Sequence, residues 1–304
     1  MPISRRSFLA HAALAAAGVS LPRALWSATS SSPLAADDRA RLAEWLRVLC
    51  AEGACRRGAP FGPAVARAAE LAVGLPYAAY TLEQYLADGG TARDEPLILH
   101  LSRFDCVSLV ESAIAVARTA AAGPGQGWER FAREVERMRY RGGERRGFAS
   151  RLHYFSEWIA DGARRGLVRD LGRELGGVRD ERPLRFMTEH RASYPALRDE
   201  ATFAAVGRME RSLDRAPRWL VPADRIVQVQ DRIHSGDVLA FATAIPGLDV
   251  THTGLAYRDG EGVLRVLHAP LSGGAVEVSR TTLPEYVSAI RRATGILVAR
   301  PLRG

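Results

Sequence analysis

The chain changes character at about Pro222, and this change constrains its fold more than any other feature of the sequence. Before it, apolar residues recur at helical spacing, as at Leu42, Trp45, Leu46 and Leu49. After it, short apolar runs are separated by turn residues, which is typical of strands. The predicted strands cover residues 237–241, 254–257, 263–268, 276–278 and 296–298. Helices first and strands last predict an α+β fold, because a parallel α/β fold would alternate the two.

The first 36 residues have the pattern of an export signal. Residues 4–9 read Ser-Arg-Arg-Ser-Phe-Leu and lead into an alanine-rich apolar stretch that ends at Leu21. The adjacent arginines resemble a twin-arginine signal, which predicts the export machinery as a partner and a periplasmic location. A frayed amphipathic helix or an uncleaved anchor is the alternative. Residues 37–304 then form one domain, and no later apolar run is long enough to predict a membrane span after signal removal.

The net charge of +8 comes with 34 acidic residues and 42 basic ones, and the sequence contains no lysine. A basic protein is attracted to anionic surfaces such as cell walls and membranes. The arginines are scattered and no aromatic-rich binding motif accompanies them, so nucleic acid is not a predicted partner.

Three cysteines are present, and none belongs to a C-x-x-C pair, so a structural zinc site is not predicted. Cys50 and Cys55 lie five residues apart in a helical stretch. At about 100° per residue their side chains point in different directions. A disulfide between them would need a break in the helix, for which Gly53 is the candidate, and the unbridged form is favoured.

Cys106 is the candidate nucleophile. Asp105 is a good N-cap residue, and the apolar residues after it have helical spacing, so Cys106 is predicted in the first turn of a helix. The positive end of the helix dipole favours a thiolate there, and the thiolate is the reactive form of cysteine.

Two histidines lie in the strand-rich half and supply a candidate base. His252 and His268 each stand eight residues from Gly260, in the turn predicted at residues 259–260. Arms of equal length place the two rings opposite each other on antiparallel strands. One imidazole can then accept the thiol proton while the other fixes its tautomer.

Further candidates lie between the cysteine helix and the strands. Arg141, Arg151 and His153 could bind an anionic group of a substrate. For His153 the alternative is a hydrogen bond to the neighbouring backbone. A zinc site built from Cys106 and the histidines is also possible, but no acidic residue has a clear role beside it, so neither a metal nor a cofactor is expected.

Several motifs in this order resemble the NlpC-type papain-like cell-wall peptidases. They are the segments at residues 104–111, 236–237, 251–256 and 267–269. The segments at residues 75–83 and 151–159 more narrowly resemble the N-acetylmuramoyl-L-alanine amidase-like family. The resemblance covers about residues 65–300.

This resemblance implies an α+β, papain-like fold whose nucleophile helix packs on a C-terminal antiparallel sheet, with a large helical insertion at about 122–225. It implies a Cys-His-His triad of Cys106, His252 and His268. Tyr77 matches the tyrosine that lies near the nucleophile in the superfamily. Asp105, Arg151 and His153 are the other candidate substrate or oxyanion residues. The implied substrates are peptidoglycan stem peptides or muropeptides. The alternatives are a γ-D-glutamyl-diamino acid endopeptidase and a non-catalytic wall-binding protein.

Overall fold

The computed structural model describes residues 33–304 except residues 124, 217 and 273. Residues 1–32 of the export signal predicted at residues 1–36 therefore lie outside the described residues. Ten α-helices follow in the described part of the chain: α1 Pro33–Ala51, α2 Phe61–Glu70, α3 Gln84–Ala87, α4 Cys106–Ala121, α5 Trp128–Arg139, α6 Phe155–Arg164, α7 Phe186–Glu189, α8 Glu200–Leu213, α9 Ile226–Val229 and α10 Leu283–Ala289.

In the same described part of the chain, eight strands form one antiparallel sheet. They are β1 Val168–Asp170, β2 Val178–Asp180, β3 Arg218–Pro222, β4 Val238–Thr243, β5 Val250–Arg258, β6 Leu264–His268, β7 Glu277–Val278 and β8 Ala293–Pro301. Their order is β2-β3-β8-β4-β5-β6-β7, and β1 also pairs with β8. Helices precede most strands in the chain, so the predicted α+β class is confirmed.

Helix α4 is the centre of the helical layer. Its residues from Ser108 to Ala120 are all buried. A helix that is buried on every side needs neighbours on every side, and α1, α2, α5 and β5 contact it. This packing holds the start of α4, where Cys106 lies, against the sheet.

The sheet is buried on both faces. In β4, Val238, Ala240 and Ala242 belong to the apolar cluster that includes α4. Leu239 and Phe241 alternate with them and belong to a second cluster that includes α10. The site residues of β5 and β6 are therefore held from both sides.

The region at 122–225, predicted to be helical, is mixed. It contains α5 to α8, but β1, β2 and β3 also lie in it and extend the sheet through β8. In β1 and β2 the sequence reads Val-Arg-Asp, with one apolar residue each. Runs of three residues show no alternation, and for this reason their strand character was not predicted.

Cys50 and Cys55 are bridged, contrary to the expectation of free thiols. Helix α1 ends at Ala51, and Gly53 turns the chain with a φ of +94°. The two Cα atoms then lie 4.8 Å apart, a normal separation for a disulfide. The break at Gly53 removes the helical geometry that would have kept the side chains apart.

Candidate active site

Cys106 is a half-buried free cysteine at the first position of α4. Asp105 caps the helix: its carboxylate accepts the backbone N–H of Ser108 at 2.7 Å. The Ser108 hydroxyl in turn accepts the N–H of Asp105 at 2.9 Å. This reciprocal capping box fixes the direction in which the chain enters the helix, and with it the position of the sulfur.

The thiol is not ionised at neutral pH. Burial raises the pKa of Cys106 to about 12, and the negative charge of Asp105 adds to this. The backbone N–H groups of Thr253, Val107 and Cys106 itself oppose the shift without cancelling it. The resting thiolate expected from the helix dipole is therefore absent, because burial of the sulfur, and after it the charge of the Asp105 carboxylate, outweighs the effect of the helix start.

His252 and His268 are joined by a hydrogen bond. Nε2 of His252 and Nδ1 of His268 are 2.8 Å apart, and the ring planes meet at 74°. The His252 ring stacks on Phe241 at 5.7 Å, whereas His268 is 1% exposed. The contact predicted between the two imidazoles is present.

The register that produces this contact differs from the predicted one by two residues. Strands β5 and β6 pair Leu255 with Leu267 and Arg258 with Leu264, which places His268 beside Gly254. The connection is a five-residue loop, residues 259–263, and not a turn centred on Gly260. The Asp259 carboxylate accepts the N–H groups of Glu261 and Val263 and so holds this loop. The imidazoles consequently meet diagonally.

Both imidazoles are neutral at neutral pH. Burial lowers the pKa of His252 to about 3, with a further contribution from His268. Burial alone lowers the pKa of His268 to about 4. A neutral imidazole has one N–H and one lone pair, so each ring can donate through one nitrogen and accept through the other.

The sulfur approaches the histidine strand at the residue next to His252, where the N–H of Thr253 points to it. Among the described residues, neither imidazole makes a hydrogen bond to the sulfur. Catalytic contacts are often long in ligand-free sites. Nδ1 of His252 is the ring nitrogen that the bond to His268 leaves available.

Two tyrosines lie within electrostatic reach of Cys106. Tyr77 forms a bridge with Phe104, and Tyr286 lies on α10 with its hydroxyl 3.3 Å from Nδ1 of His268. Burial raises the pKa of both phenols, and the Cys106 thiolate adds to both shifts. Tyr286 was not among the predicted residues; residues 282–285 predict a helix start there, but nothing in the sequence links that helix to the histidines.

The arginines proposed from the sequence as substrate ligands hold carboxylates of the protein itself. Arg151 is 6% exposed and bonds Glu83 at 2.6 Å and Glu95 at 3.1 Å. Arg141 grips Glu157 through two nitrogens, at 2.6 and 3.1 Å. Both guanidinium groups are thus paired with carboxylates of the protein, and a contact of either arginine with a substrate stays a prediction.

His153 makes the contact that was given as its alternative, a hydrogen bond to the neighbouring backbone. Its Nε2 lies 2.8 Å from the carbonyl oxygen of Phe148, and its ring lies over the Phe148 ring at 4.3 Å. Burial, followed by the charge of Arg151, lowers the pKa of His153 well below its ordinary value. A neutral, bonded ring of this kind does not supply a positive charge to a substrate.

The described residues contain neither a candidate metal site nor a candidate membrane-spanning helix. No group of three or more His, Cys, Asp and Glu side chains there could hold a metal ion. No helix in that part of the chain is long and apolar enough to cross a membrane.

Comparisons with known proteins point to one family. A model described as N-acetylmuramoyl-L-alanine amidase-like (AmiA-like) matches residues 68–296. A crystal structure of an N-acetylmuramoyl-L-alanine amidase from Bacteroides uniformis is 28% identical, covering 80% of this chain and 99% of that chain with a TM-score of 0.72.

Two other solved structures are similar. A Bacteroides fragilis protein provisionally described as a xylanase is 33% identical, covering 77% of this chain and 99% of that chain, with a TM-score of 0.69. A Legionella pneumophila protein matched by the family model DUF1460 is 15% identical, covering 90% of this chain and 97% of that chain, with a TM-score of 0.65. The likeness to the Legionella protein shows the fold alone. No curated protein matches the chain.

Proposed function

This chain belongs to the N-acetylmuramoyl-L-alanine amidase-like family, as its motifs predicted, and we propose that it is an exported cysteine hydrolase that cuts the amide between muramic acid and L-alanine in peptidoglycan. The observation that carries the proposal is the hydrogen-bonded pair His252–His268 on strands beside a free thiol at a helix start. The placement within the NlpC-type papain-like enzymes rests on the motif resemblance.

The proposed reaction is acyl transfer with a base acting during the attack. Because the Cys106 thiol and the His252 ring are both neutral, Nδ1 of His252 removes the thiol proton as Sγ bonds to the amide carbonyl carbon. His268 accepts the N–H at Nε2 of His252 and holds the ring in that tautomer. A thiol of raised pKa needs such a base at the moment of attack.

Backbone N–H groups beside the sulfur are suited to the oxyanion. Those of Cys106 and Val107 are at the start of α4, where no helix carbonyl accepts them. The Tyr77 hydroxyl lies within electrostatic reach of Cys106, and burial raises its pKa, so it stays protonated. When the tetrahedral intermediate collapses, the C–N bond breaks and the imidazolium protonates the leaving amine. Water then attacks the thioester carbonyl carbon and gives a proton to His252. The C–S bond breaks, the acid is released, and His252 returns the proton to Sγ of Cys106.

The same chemistry fits a second bond in the same polymer. A γ-D-glutamyl-diamino acid endopeptidase would use the same thiol and imidazoles, and the family description favours the muramoyl amide. The xylanase description of the Bacteroides fragilis protein concerns a different bond. Glycoside hydrolysis uses a pair of carboxyl groups, whereas this site has one thiol and two imidazoles at its centre. A wall-binding protein without activity would not need the free thiol.

Cleavage of the cell wall requires action outside the cytoplasm. The twin-arginine pattern at residues 4–9 supplies the route, and a net charge of +8 favours contact with an anionic wall. The export route can be tested by locating the variant that carries both Arg5→Lys and Arg6→Lys. These changes should retain the protein inside the cell.

The activity is tested by digesting purified muropeptides and identifying the products by mass spectrometry. We expect peptides with a free L-alanine amine and lactyl-ended glycans. Cys106→Ala should lower kcat by about 10³-fold or more, and His252→Ala should cost more than His268→Ala, because the second ring only orients the first.

Two matched controls accompany these variants. The double change Cys50→Ala and Cys55→Ala removes sulfur elsewhere, and His234→Ala removes an exposed imidazole; both should leave kcat unchanged. Full activity of Cys106→Ala would end the nucleophile assignment. Release of diamino-acid amines alone would establish the endopeptidase instead.

A further inference from the structure

The two nitrogens of the His268 ring have very different surroundings. Nδ1 has two polar neighbours, Nε2 of His252 at 2.8 Å and the hydroxyl of Tyr286 at 3.3 Å. Nε2 is buried and has no hydrogen-bond partner among the described residues. Oε1 of Glu277 lies 3.8 Å from it on β7, where Glu277 is the strand partner of His268.

These surroundings favour one tautomer of the neutral ring. With the proton on Nε2, the Nδ1 lone pair accepts from His252 and from Tyr286, and the N–H at Nε2 faces the carboxylate of Glu277. With the proton on Nδ1, a buried lone pair would face that carboxylate instead. The Tyr286 hydrogen would also be left without an acceptor among the hydrogen bonds of the described residues.

Tyr286 is held firmly enough to act in this way. Thr282 and Glu285 form a capping box at the start of α10. The Tyr286 ring contacts His268 edge-on at 5.0 Å and packs on Phe241 at 5.2 Å. Since burial raises the pKa of the phenol above its ordinary value, the hydroxyl keeps its hydrogen at neutral pH.

The tautomer of His268 decides the tautomer of His252. If Nδ1 of His268 is an acceptor, Nε2 of His252 must carry its proton, and Nδ1 of His252 keeps the lone pair. If His268 donates instead, the proton of His252 moves to Nδ1, and the ring can no longer accept a proton there. We infer that Tyr286 and Glu277 are positioning residues that hold His268 in its Nε2–H form and so keep Nδ1 of His252 free as the base. This inference rests on the proposed function of His252.

The test reads the tautomers directly in the folded, ligand-free protein. The full chain is labelled with ¹⁵N-histidine, and long-range ¹H–¹⁵N spectra are recorded near neutral pH for the wild type, Tyr286→Phe, Glu277→Ala and the double variant. We expect Nε2–H for both rings in the wild type. In each single variant, and more completely in the double variant, Nδ1–H forms of both rings should appear together, because the two protons are coupled through one hydrogen bond.

Kinetics on muropeptides provide the second readout. Each single variant should lower kcat about tenfold with KM unchanged, since it lowers the fraction of enzyme with a competent base. Tyr257→Phe, which removes a hydroxyl bonded to Glu70 at 2.7 Å, and Glu261→Ala, an exposed loop glutamate, are the matched controls. Neither control should change the His252 and His268 spectra or kcat.

The outcomes separate this inference from the proposed function. Wild-type spectra with His268 as Nδ1–H, or a double variant with unchanged tautomers, would overturn the inference even if Cys106→Ala is inactive. A loss of kcat without a tautomer change would also overturn it, since the two residues would then have a merely structural role. If Cys106→Ala stays active, the proposed function fails, yet the spectra still decide what Tyr286 and Glu277 do.

Discussion

At the scale of single residues, Asp105 has two opposing effects on Cys106. Its carboxylate caps α4 and so fixes the position of the sulfur. Burial is the main cause of the raised pKa of the thiol, and the same carboxylate raises it further. The helix start therefore provides N–H groups for an oxyanion but does not provide a resting thiolate. Sequence patterns predicted the cap and the helix correctly, whereas the balance of charge and burial at the sulfur depends on the whole surrounding structure.

Alkylation of Cys106 should report this balance. With a thiol pKa raised to about 12, the thiolate fraction grows about tenfold per pH unit below that value. The rate of reaction with iodoacetamide should therefore rise continuously from pH 6 to pH 9, followed by mass spectrometry of the Cys106 peptide. Cys50 and Cys55 are bridged and do not compete.

Asp105→Asn is the matched variant for this measurement. Asparagine caps helices as well as aspartate does, so the helix is kept while the negative charge is removed. The thiol pKa should fall, and alkylation at pH 8 should become faster than in the wild type. A rate that is already constant between pH 6 and pH 8 in the wild type would show a preformed thiolate and contradict the expectation.

At the scale of elements, the β5–β6 hairpin shows what the sequence could and could not predict. Alternation and turn residues located both strands and predicted the meeting of His252 with His268. The register was missed by two residues because the loop at 259–263 is held by side-chain bonds from Asp259. Turn propensity places a turn near residues 259–260 but does not reveal those bonds.

The observed register gives Gly254 a specific role, which Gly254→Ala tests. A Cβ at this position would lie 2.9 Å from the Leu267 carbonyl oxygen and 3.0 Å from Cβ of His268. We expect a loss of about 1–3 kcal/mol in the free energy of unfolding, measured by urea denaturation. Muropeptide hydrolysis should also fall, because His268 must move.

Gly260→Ala is the control in the neighbouring loop. Nothing lies within 4 Å of a Cβ added there, so its free energy of unfolding should stay within about 0.5 kcal/mol of the wild type. Equal stability of the two variants would show that β5 and β6 do not pair in this register. Under the predicted register, with the turn centred on Gly260, Gly260 would be the more sensitive position.

At the scale of the whole molecule, the ordered motifs predicted the family and the α+β class. They did not predict which charged side chains pair with each other inside the protein. In the sequence Arg141 and Arg151 cannot be told apart from the other arginines, and only the fold shows that Glu157, Glu83 and Glu95 pair with them. What remains for long-range attraction is the excess charge. Removing residues 1–32 takes away three arginines and no acidic residue, which leaves a net charge of +5 from +8.

This excess charge should act on the intact wall and not on the bond that is cut. Attraction between exposed charges is screened over about 30 Å at 0.01 M salt and about 3 Å at 1 M. Binding of the Cys106→Ala variant to purified sacculi should therefore weaken steeply as salt is raised, measured by co-sedimentation. Hydrolysis of a small soluble muropeptide by the wild type should change much less, since its contacts are short-range.

The double variant Arg56→Gln and Arg57→Gln removes two exposed charges and should bind sacculi more weakly at low salt with unchanged kcat. Binding that is insensitive to salt would mean that shape and hydrogen bonds hold the protein on the wall, and that its basic character has no part in finding the substrate.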